Sequence, residues 1–124
     1  MNCRVLLVDD EQPALFATAR YLSANGFEVA CARELEEAQA LLSNQVFDIV
    51  ITDLRLTPVH AAEGLLVIER VRSLGMAARV IVLTGNAIPE VEAAARKLGV
   101  DLFLSKPASL PALAATMRAL MAQA

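Results

Sequence analysis

The sequence predicts an α/β fold, (βα)5, in which five parallel strands form a doubly wound sheet of order 2-1-3-4-5. Three observations predict it. Short β-rich runs alternate five times with longer segments of helical period. The connections are short, so successive strands pair in parallel through right-handed crossovers. The strands are apolar on both faces, as a sheet covered by helices on each side requires.

The elements follow in order. Arg4–Val8 (RVLLV) is a buried strand marked by β-branched residues. Pro13 opens a helix at a favoured first-turn position, Leu15, Ala19 and Leu22 give its period, and Asn25-Gly26 stops it. Phe27–Cys31 is the second strand, and Glu34–Asn44 a helix periodic through Leu35, Ala38 and Leu41/Leu42. Phe47–Thr52 is the third strand, ending at Asp53. A polar loop with Pro58 and His60 leads to a helix from about Ala62 to Leu74, closed by Gly75. Arg79–Thr84 is the fourth strand, Pro89–Leu98 a helix stopped by Gly99, Val100–Leu104 the fifth strand and Ser109–Ala122 the last helix. Five such units give a flavodoxin-like architecture, expected to fill residues 1–124 as one domain with no room for a second.

Composition narrows the function. The chain has 124 residues, and at this size roughly two thirds of the unfolded surface is buried on folding. A hydrophobic content of 56% excludes disorder. No apolar run approaches the roughly 20 residues of a membrane span, and the start is too short for a signal-peptide core. Much of the apolar excess is alanine, 23 residues, which points to Ala-rich helices. The net charge is −3 with no Lys/Arg block, so no nucleic-acid partner is expected. Cys3 and Cys31 are widely spaced in apolar segments, which suggests reduced, buried thiols and a cytoplasmic protein. A single histidine argues against histidine-ligated metalloenzymes and Ser/His/Asp hydrolases.

In open α/β sheets ligands bind beyond the carboxyl ends of the strands. There the sequence places Asp9-Asp10-Glu11, Asp53, Thr84 followed by Gly85, and Lys106-Pro107. Two carboxylates about 5 Å apart repel by roughly 3 kcal/mol at an effective dielectric near 20, so the cluster needs cations. Lys106 supplies one; Mg2+, which takes oxygen ligands and keeps waters, fits best as another. The set suggests phosphoryl chemistry: a carboxylate nucleophile, Asp53 before the others because it ends a central strand alone, with Thr84 and Lys106 binding phosphoryl oxygens. Each residue alone has a plainer role. Asp9 or Asp10 can cap a helix, Asp53 can sit in a turn, Thr84 can end a strand, and Lys106 can be a solvated loop lysine. Their coincidence at one sheet edge favours the chemistry.

Four stretches carry a family resemblance: Val5 to Glu11, Asp48 to Leu56, Val80 to Gly85, and Phe103 to Pro107. In these, and over essentially the whole chain, the sequence resembles the receiver domain of bacterial two-component response regulators. The resemblance implies that Asp53 takes a phosphoryl group from a phosphohistidine on a sensor histidine kinase or a phosphotransfer protein. It implies that Asp9, Asp10, Asp53 and the backbone carbonyl of Arg55 hold Mg2+, that Lys106 is the family lysine, and that Thr84 moves toward the phosphoryl group. Phe103 is implied to change rotamer and report the state on the face of the fourth helix, fifth strand and fifth helix, where a downstream target docks; a plain core aromatic is the alternative. Catalysis is limited to self-phosphorylation from a donor and autodephosphorylation, not the work of a conventional enzyme. The added charge of about −2 is then matched by Lys106 and the metal. No output domain is expected within the 124 residues.

The chain departs from the family pattern after Asp53. Pro58 comes five residues on and Gly64 eleven, so the segment from Thr57 to Ala62 carries about three extra residues beside the site. That insertion bears on dephosphorylation, on partner access and on the placement of Arg55. His60 reads as a solvated loop residue rather than a metal ligand or pH sensor. In the last helix Leu110, Leu113, Met117 and Leu120/Met121 form the expected buried stripe. The opposite face of Ala112, Ala115, Thr116, Arg118, Ala119 and Ala122 suggests docking or self-association, a homodimer included; helix-favouring alanine drift is the plain alternative. Three other functions compete. A phosphorylation-independent pseudo-receiver, acting as an interaction module, is expected to lose Asp53, Lys106 or the acid pair. An aspartyl-phosphate phosphohydrolase needs its nucleophile after the first strand and a cap domain. A flavin binder needs a Gly/Ser/Thr-rich first loop where this chain is acidic.

Overall fold

The computed structural model describes residues 2–54, 63–85 and 88–123. Strands and helices alternate as β1 (Cys3–Val8), α1 (Gln12–Ala24), β2 (Phe27–Ala32), α2 (Leu35–Asn44), β3 (Ile49–Thr52), α3 (Glu63–Ser73), β4 (Arg79–Thr84), α4 (Pro89–Lys97), β5 (Leu102–Ser105) and α5 (Leu110–Ala122). The five strands form one sheet of order β2-β1-β3-β4-β5, parallel throughout, as the alternation predicts. Arg55, Pro58, His60 and the inserted Thr57 to Ala62 lie outside the described residues.

The central strands β1, β3 and β4 bury side chains on both faces because side chains alternate across them, whereas the edge strands β2 and β5 are mostly half-buried. Val5, Leu7, Ile49, Ile51 and Ile81 pack with Leu15 and Leu22 of α1 and Leu113, Met117 and Leu120 of α5. On the opposite face Leu6, Val8 and Val50 meet Ala38 and Leu42 of α2 and Val67 and Val71 of α3. Val80 and Val82 meet Ile68 of α3 and Ala95 of α4. The central strands are therefore shielded from water on both sides, and the chemistry is left to their ends.

Two strand starts differ from expectation for a shared reason. β3 begins at Ile49, not Phe47, and β5 at Leu102, not Val100. An aspartate precedes each strand: its backbone N–H still bonds the neighbouring strand, Asp48 to Arg4 O at 2.8 Å and Asp101 to Val80 O at 2.9 Å, while its carboxylate takes that neighbour's amide. Asp48 Oδ2 accepts the Arg4 amide at 2.8 Å, and Asp101 Oδ2 accepts the Val80 amide at 2.8 Å. Phe47 is nonetheless buried, because apolar character demands burial and not strand geometry. β2 runs one residue further than expected, to Ala32, which pairs with Val8.

The helix signals hold to within a residue. Pro13 lies in the first turn of α1, and Ser109 caps α5 by accepting the Ala112 amide at 3.3 Å. Gly75 and Gly99 follow α3 and α4 with φ of 68° and 80°, a left-handed conformation natural only to glycine. The expected stripe of α5 needs correcting. Leu113, Ala114, Met117 and Leu120 are buried, whereas Leu110 is half-buried and Met121 is exposed on the helix flank.

The cysteines also differ in burial: both are half-buried free thiols, not buried ones. Cys3 stands opposite Phe27 and Cys31 opposite Leu7. Four residues along the sheet separate them, about 13 Å, too far for a disulfide. Among the described residues no helix is long and apolar enough to cross a membrane.

Candidate functional site

The register of the sheet assembles the site. Val8 pairs with Thr52 and Thr84 with Ser105, so Asp9, Asp53, Thr84 and Lys106 leave neighbouring strands at one edge. Backbone bonds extend the strands by one residue there. Asp9 N–H donates to Ala32 O at 3.0 Å, Asp53 N–H to Val8 O at 3.3 Å, and Lys106 N–H to Thr84 O at 3.0 Å. The Lys106-Pro107 peptide is cis.

Lys106 binds both acids. Its Nζ donates to Asp53 Oδ2 at 2.8 Å and to Asp9 Oδ2 at 2.9 Å. Asp9, Asp53 and Thr84 are each at most 9% exposed, so the charges of the two acids and Lys106 interact in a medium less polar than water. Burial pulls the Lys106 ammonium down, but the hydrogen bonds and charges of Asp53 and Asp9 outweigh it and hold its pKa above the ordinary lysine value. Asp9 Oδ1 accepts the Glu11 amide at 3.1 Å, but Glu11 is the N-cap of α1 and no side chain caps that helix, so neither Asp9 nor Asp10 fills the capping role.

Asp10 is exposed. Burial of its carboxyl and the nearby charge of Asp9, with smaller contributions from Asp53 and Glu11, raise its pKa despite a backbone hydrogen bond that lowers it. The edge thus carries more negative charge than Lys106 neutralises. Among the described residues no three metal-ligating side chains are gathered into a cage. The donor set still suits Mg2+, which takes one or two carboxylates and fills its remaining positions with water and phosphate oxygens. Asp9 and Asp53 meet at Lys106, and Asp10 stands at the rim, near enough for the charges of both to raise its pKa.

Two neighbours of Asp53 were not singled out for function by the sequence. Thr52, wholly buried, donates from Oγ1 to the Asp53 carbonyl oxygen at 2.9 Å. Gly64, noticed only for its spacing, sets its backbone against the same group: a Cβ there would stand 2.0 Å from Asp53 O and 2.5 Å from Leu54 Cα. Gly64 N–H donates to Leu54 O at 2.9 Å. A polar residue closing an otherwise apolar run was the available signal for Thr52; the close approach of Gly64 has no local signature.

Phe103 is half-buried against the α3–α4 side of the sheet. The guanidinium of Arg96, on α4, caps its ring at 4.3 Å from the centroid and also pairs with Glu92 at 3.0 Å. Beside the acids lies a cleft of about 450 Å3, lined in part by Asp9, Glu11, Ala14, Thr18, Lys106 and Pro107.

Fold and site together define a signalling receiver: a doubly wound sheet whose functional edge carries a lysine bound to two aspartates. The family model for the response regulator receiver domain matches residues 5–118, and the chain belongs to that family, the receivers of two-component signalling. It is 35% identical over 121 residues to the response regulator MprA of Mycobacterium sp. (strain KMS), covering 98% of this chain and 51% of that protein. The chain thus spans about half the length of that relative. A CheY-like receiver domain protein from Methanospirillum hungatei JF-1 superposes with a TM-score of 0.91 at 26% identity, covering 99% of this chain and 96% of the other. A response regulator from Burkholderia pseudomallei, whose structure contains a phosphorylated aspartic acid, a calcium ion and citrate, gives 0.79 at 27% identity, with 98% and 74% covered.

Proposed function

We propose that Asp53 is the phosphoacceptor of this receiver. The observation that carries the reading is the Lys106 ammonium held between Asp53 and Asp9 at 2.8 and 2.9 Å. A carboxylate oxygen of Asp53 attacks the phosphorus of a phosphohistidine on a sensor histidine kinase or phosphotransfer protein. The new O–P bond forms as the P–N bond to the imidazole breaks, and the imidazole leaves with the electron pair. Lys106 balances charge on the phosphoryl oxygens, and the Thr84 hydroxyl donates to one of them. Asp9, Asp10 and Asp53 would hold Mg2+, with the Arg55 carbonyl as a further ligand; when bound it neutralises charge on the transferred group.

The phosphoryl group brings a charge of about −2 to an edge already rich in carboxylates, so the Lys106 and Thr84 contacts rearrange on modification. Phe103, capped by Arg96, sits where β5 adjoins α4 and is read as the residue that passes the change to the α4–β5–α5 face. A downstream target, or a second copy of this chain, docks on that face. Autodephosphorylation resets the switch, and cytoplasmic action belongs to the same reading. Asp53, Lys106 and the acid pair, whose loss would mark a phosphorylation-independent module, are all present.

Chemical lability tests the reading. Phosphoramidate with Mg2+ is expected to add one phosphoryl group that neutral hydroxylamine removes, as it does for an acyl phosphate, and EDTA is expected to block the addition. A hydroxylamine-resistant adduct would place the group on a hydroxyl such as Thr84 and overturn the assignment.

A further inference from the structure

We propose that Thr52 is a positioning residue for phosphoryl transfer: its buried hydroxyl fixes the main chain of Asp53 and so aims the carboxylate. The inference rests on Asp53 being the phosphoacceptor and extends that reading to the residue before it.

β3 reads Ile-Val-Ile-Thr, and all four residues are buried. By alternation Thr52 shares a face with Val50, which packs among apolar residues of α2 and α3. Valine has the same shape as threonine, favours strands equally and buries without a polar atom. A hydroxyl in this layer must find an acceptor, and Thr52 Oγ1 donates to the Asp53 carbonyl at 2.9 Å.

That carbonyl belongs to the peptide unit following Asp53. The unit preceding it is tied to β1 by the Asp53 amide, 3.3 Å from Val8 O. Gly64 closes against the following unit so tightly that a Cβ would stand 2.0 Å from Asp53 O. Gly64 N–H holds the next carbonyl, Leu54 O, at 2.9 Å. Both planar peptide units flanking the Asp53 Cα are therefore held, which sets the direction of its Cα–Cβ bond. With that direction fixed, Asp53 Oδ2 sits 2.8 Å from Lys106 Nζ. Without the hydroxyl, the peptide after Asp53 gains freedom to rotate, and the nucleophile loses its alignment with the ammonium.

The test compares the wild type with Thr52→Val, which keeps the shape and removes the hydroxyl, and Thr52→Ser, which keeps the hydroxyl. Phosphorylation rates are measured across a range of phosphoramidate concentrations with saturating Mg2+, alongside thermal unfolding and the Asp53 carbonyl 13C shift. Thr52→Val is expected to slow the maximal rate by roughly tenfold, the scale of a sub-ångström misplacement of a reacting group. Its half-saturating donor concentration and unfolding midpoint should stay near wild type, while the Asp53 carbonyl shift moves. Thr52→Ser should restore both rate and shift. A Thr52→Val protein that reacts at the wild-type rate, or a Thr52→Ser protein as slow as it, overturns the positioning role and leaves the phosphoacceptor reading intact. A Thr52→Val protein whose rate falls only in proportion to its folded fraction also overturns it. A wild type that takes up no phosphoryl group overturns the phosphoacceptor reading, and the positioning role with it.

Discussion

The ammonium of Lys106 lies 2.8 Å from Oδ2 of Asp53, although the two residues are 53 positions apart in the chain. The same ammonium is 2.9 Å from Oδ2 of Asp9. One cation therefore serves two nearly buried carboxylates, with Asp10 at the rim. The arrangement holds the acids together without saturating them and favours a further cation.

Lys106→Met tests that balance. Two acids lose their shared partner, and the fold is expected to lose about 1.5–3 kcal/mol in EDTA, the scale of a hydrogen bond to a charged group. Mg2+ should then stabilise the variant more than the wild type. The sign with pH follows from the raised lysine pKa: the pair contributes fully below the ordinary lysine value of 10.5 and is lost as pH rises through the raised one. Urea unfolding across pH reads both effects; equal midpoints for variant and wild type in EDTA would count against the pairing.

Gly64→Ala places a methyl group 2.0 Å from Asp53 O, so the backbone of β3 or α3 must shift. The expected cost is about 1–3 kcal/mol, as for other overpacked positions. The first turn of α3 should lift from β3, lowering the protection of the Gly64 amide in hydrogen exchange. An alanine variant with wild-type unfolding and exchange would show that the approach is looser than the structure describes.

Arg96→Ala removes the cap on Phe103 together with the exposed ion pair to Glu92, whereas Glu92→Gln removes the pair alone. The cap should contribute about 0.5–1 kcal/mol and the ion pair about 0.3–0.5 kcal/mol. Arg96→Ala is therefore expected to be the more damaging in urea unfolding, and to sharpen the Phe103 ring resonances as the ring gains freedom. Equal effects from both variants would remove the ring from the account.

Cys3 gives a pH prediction away from the site. Burial, with the Asp48 carboxylate adding to it, raises its thiol from 9.0 to about 11, and burial also raises Cys31. Below pH 9 the Cys3 thiolate is then on the order of a hundredfold scarcer than in an unfolded chain, and alkylation by iodoacetamide should slow accordingly. The unfolded thiol ionises first, so stability falls as pH rises from 9.0 to about 11. Mass spectrometry of modified peptides at pH 8, native against urea-unfolded, would refute this if Cys3 reacted equally fast in both.

Much of this was legible because a parallel sheet turns sequence order into spatial order. Once the runs ending at Val8, Thr52, Thr84 and Leu104 are read as strands, Asp9, Asp53, Thr84 and Lys106 must share an edge. The strands begin later than the apolar runs of β3 and β5 suggest, because periodicity registers apolar character, which Phe47 and Val100 have, and not the points where the Asp48 and Asp101 carboxylates take the amides of Arg4 and Val80. Met121 was assigned to the core because its spacing matches Leu120, yet only one of two adjacent helix positions faces inward here. The cap of Arg96 on Phe103 and the closure of Gly64 on Asp53 were not legible. Both depend on how α3 and α4 settle on the sheet, a tertiary result that no local pattern encodes.

The central claim is most directly tested by intact mass after incubation with phosphoramidate and Mg2+, for the wild type and Asp53→Asn side by side. The account predicts the mass of one phosphoryl group on the wild type and none on Asp53→Asn, with both proteins folded. An unmodified wild type, or an Asp53→Asn protein modified to the same extent, would contradict it.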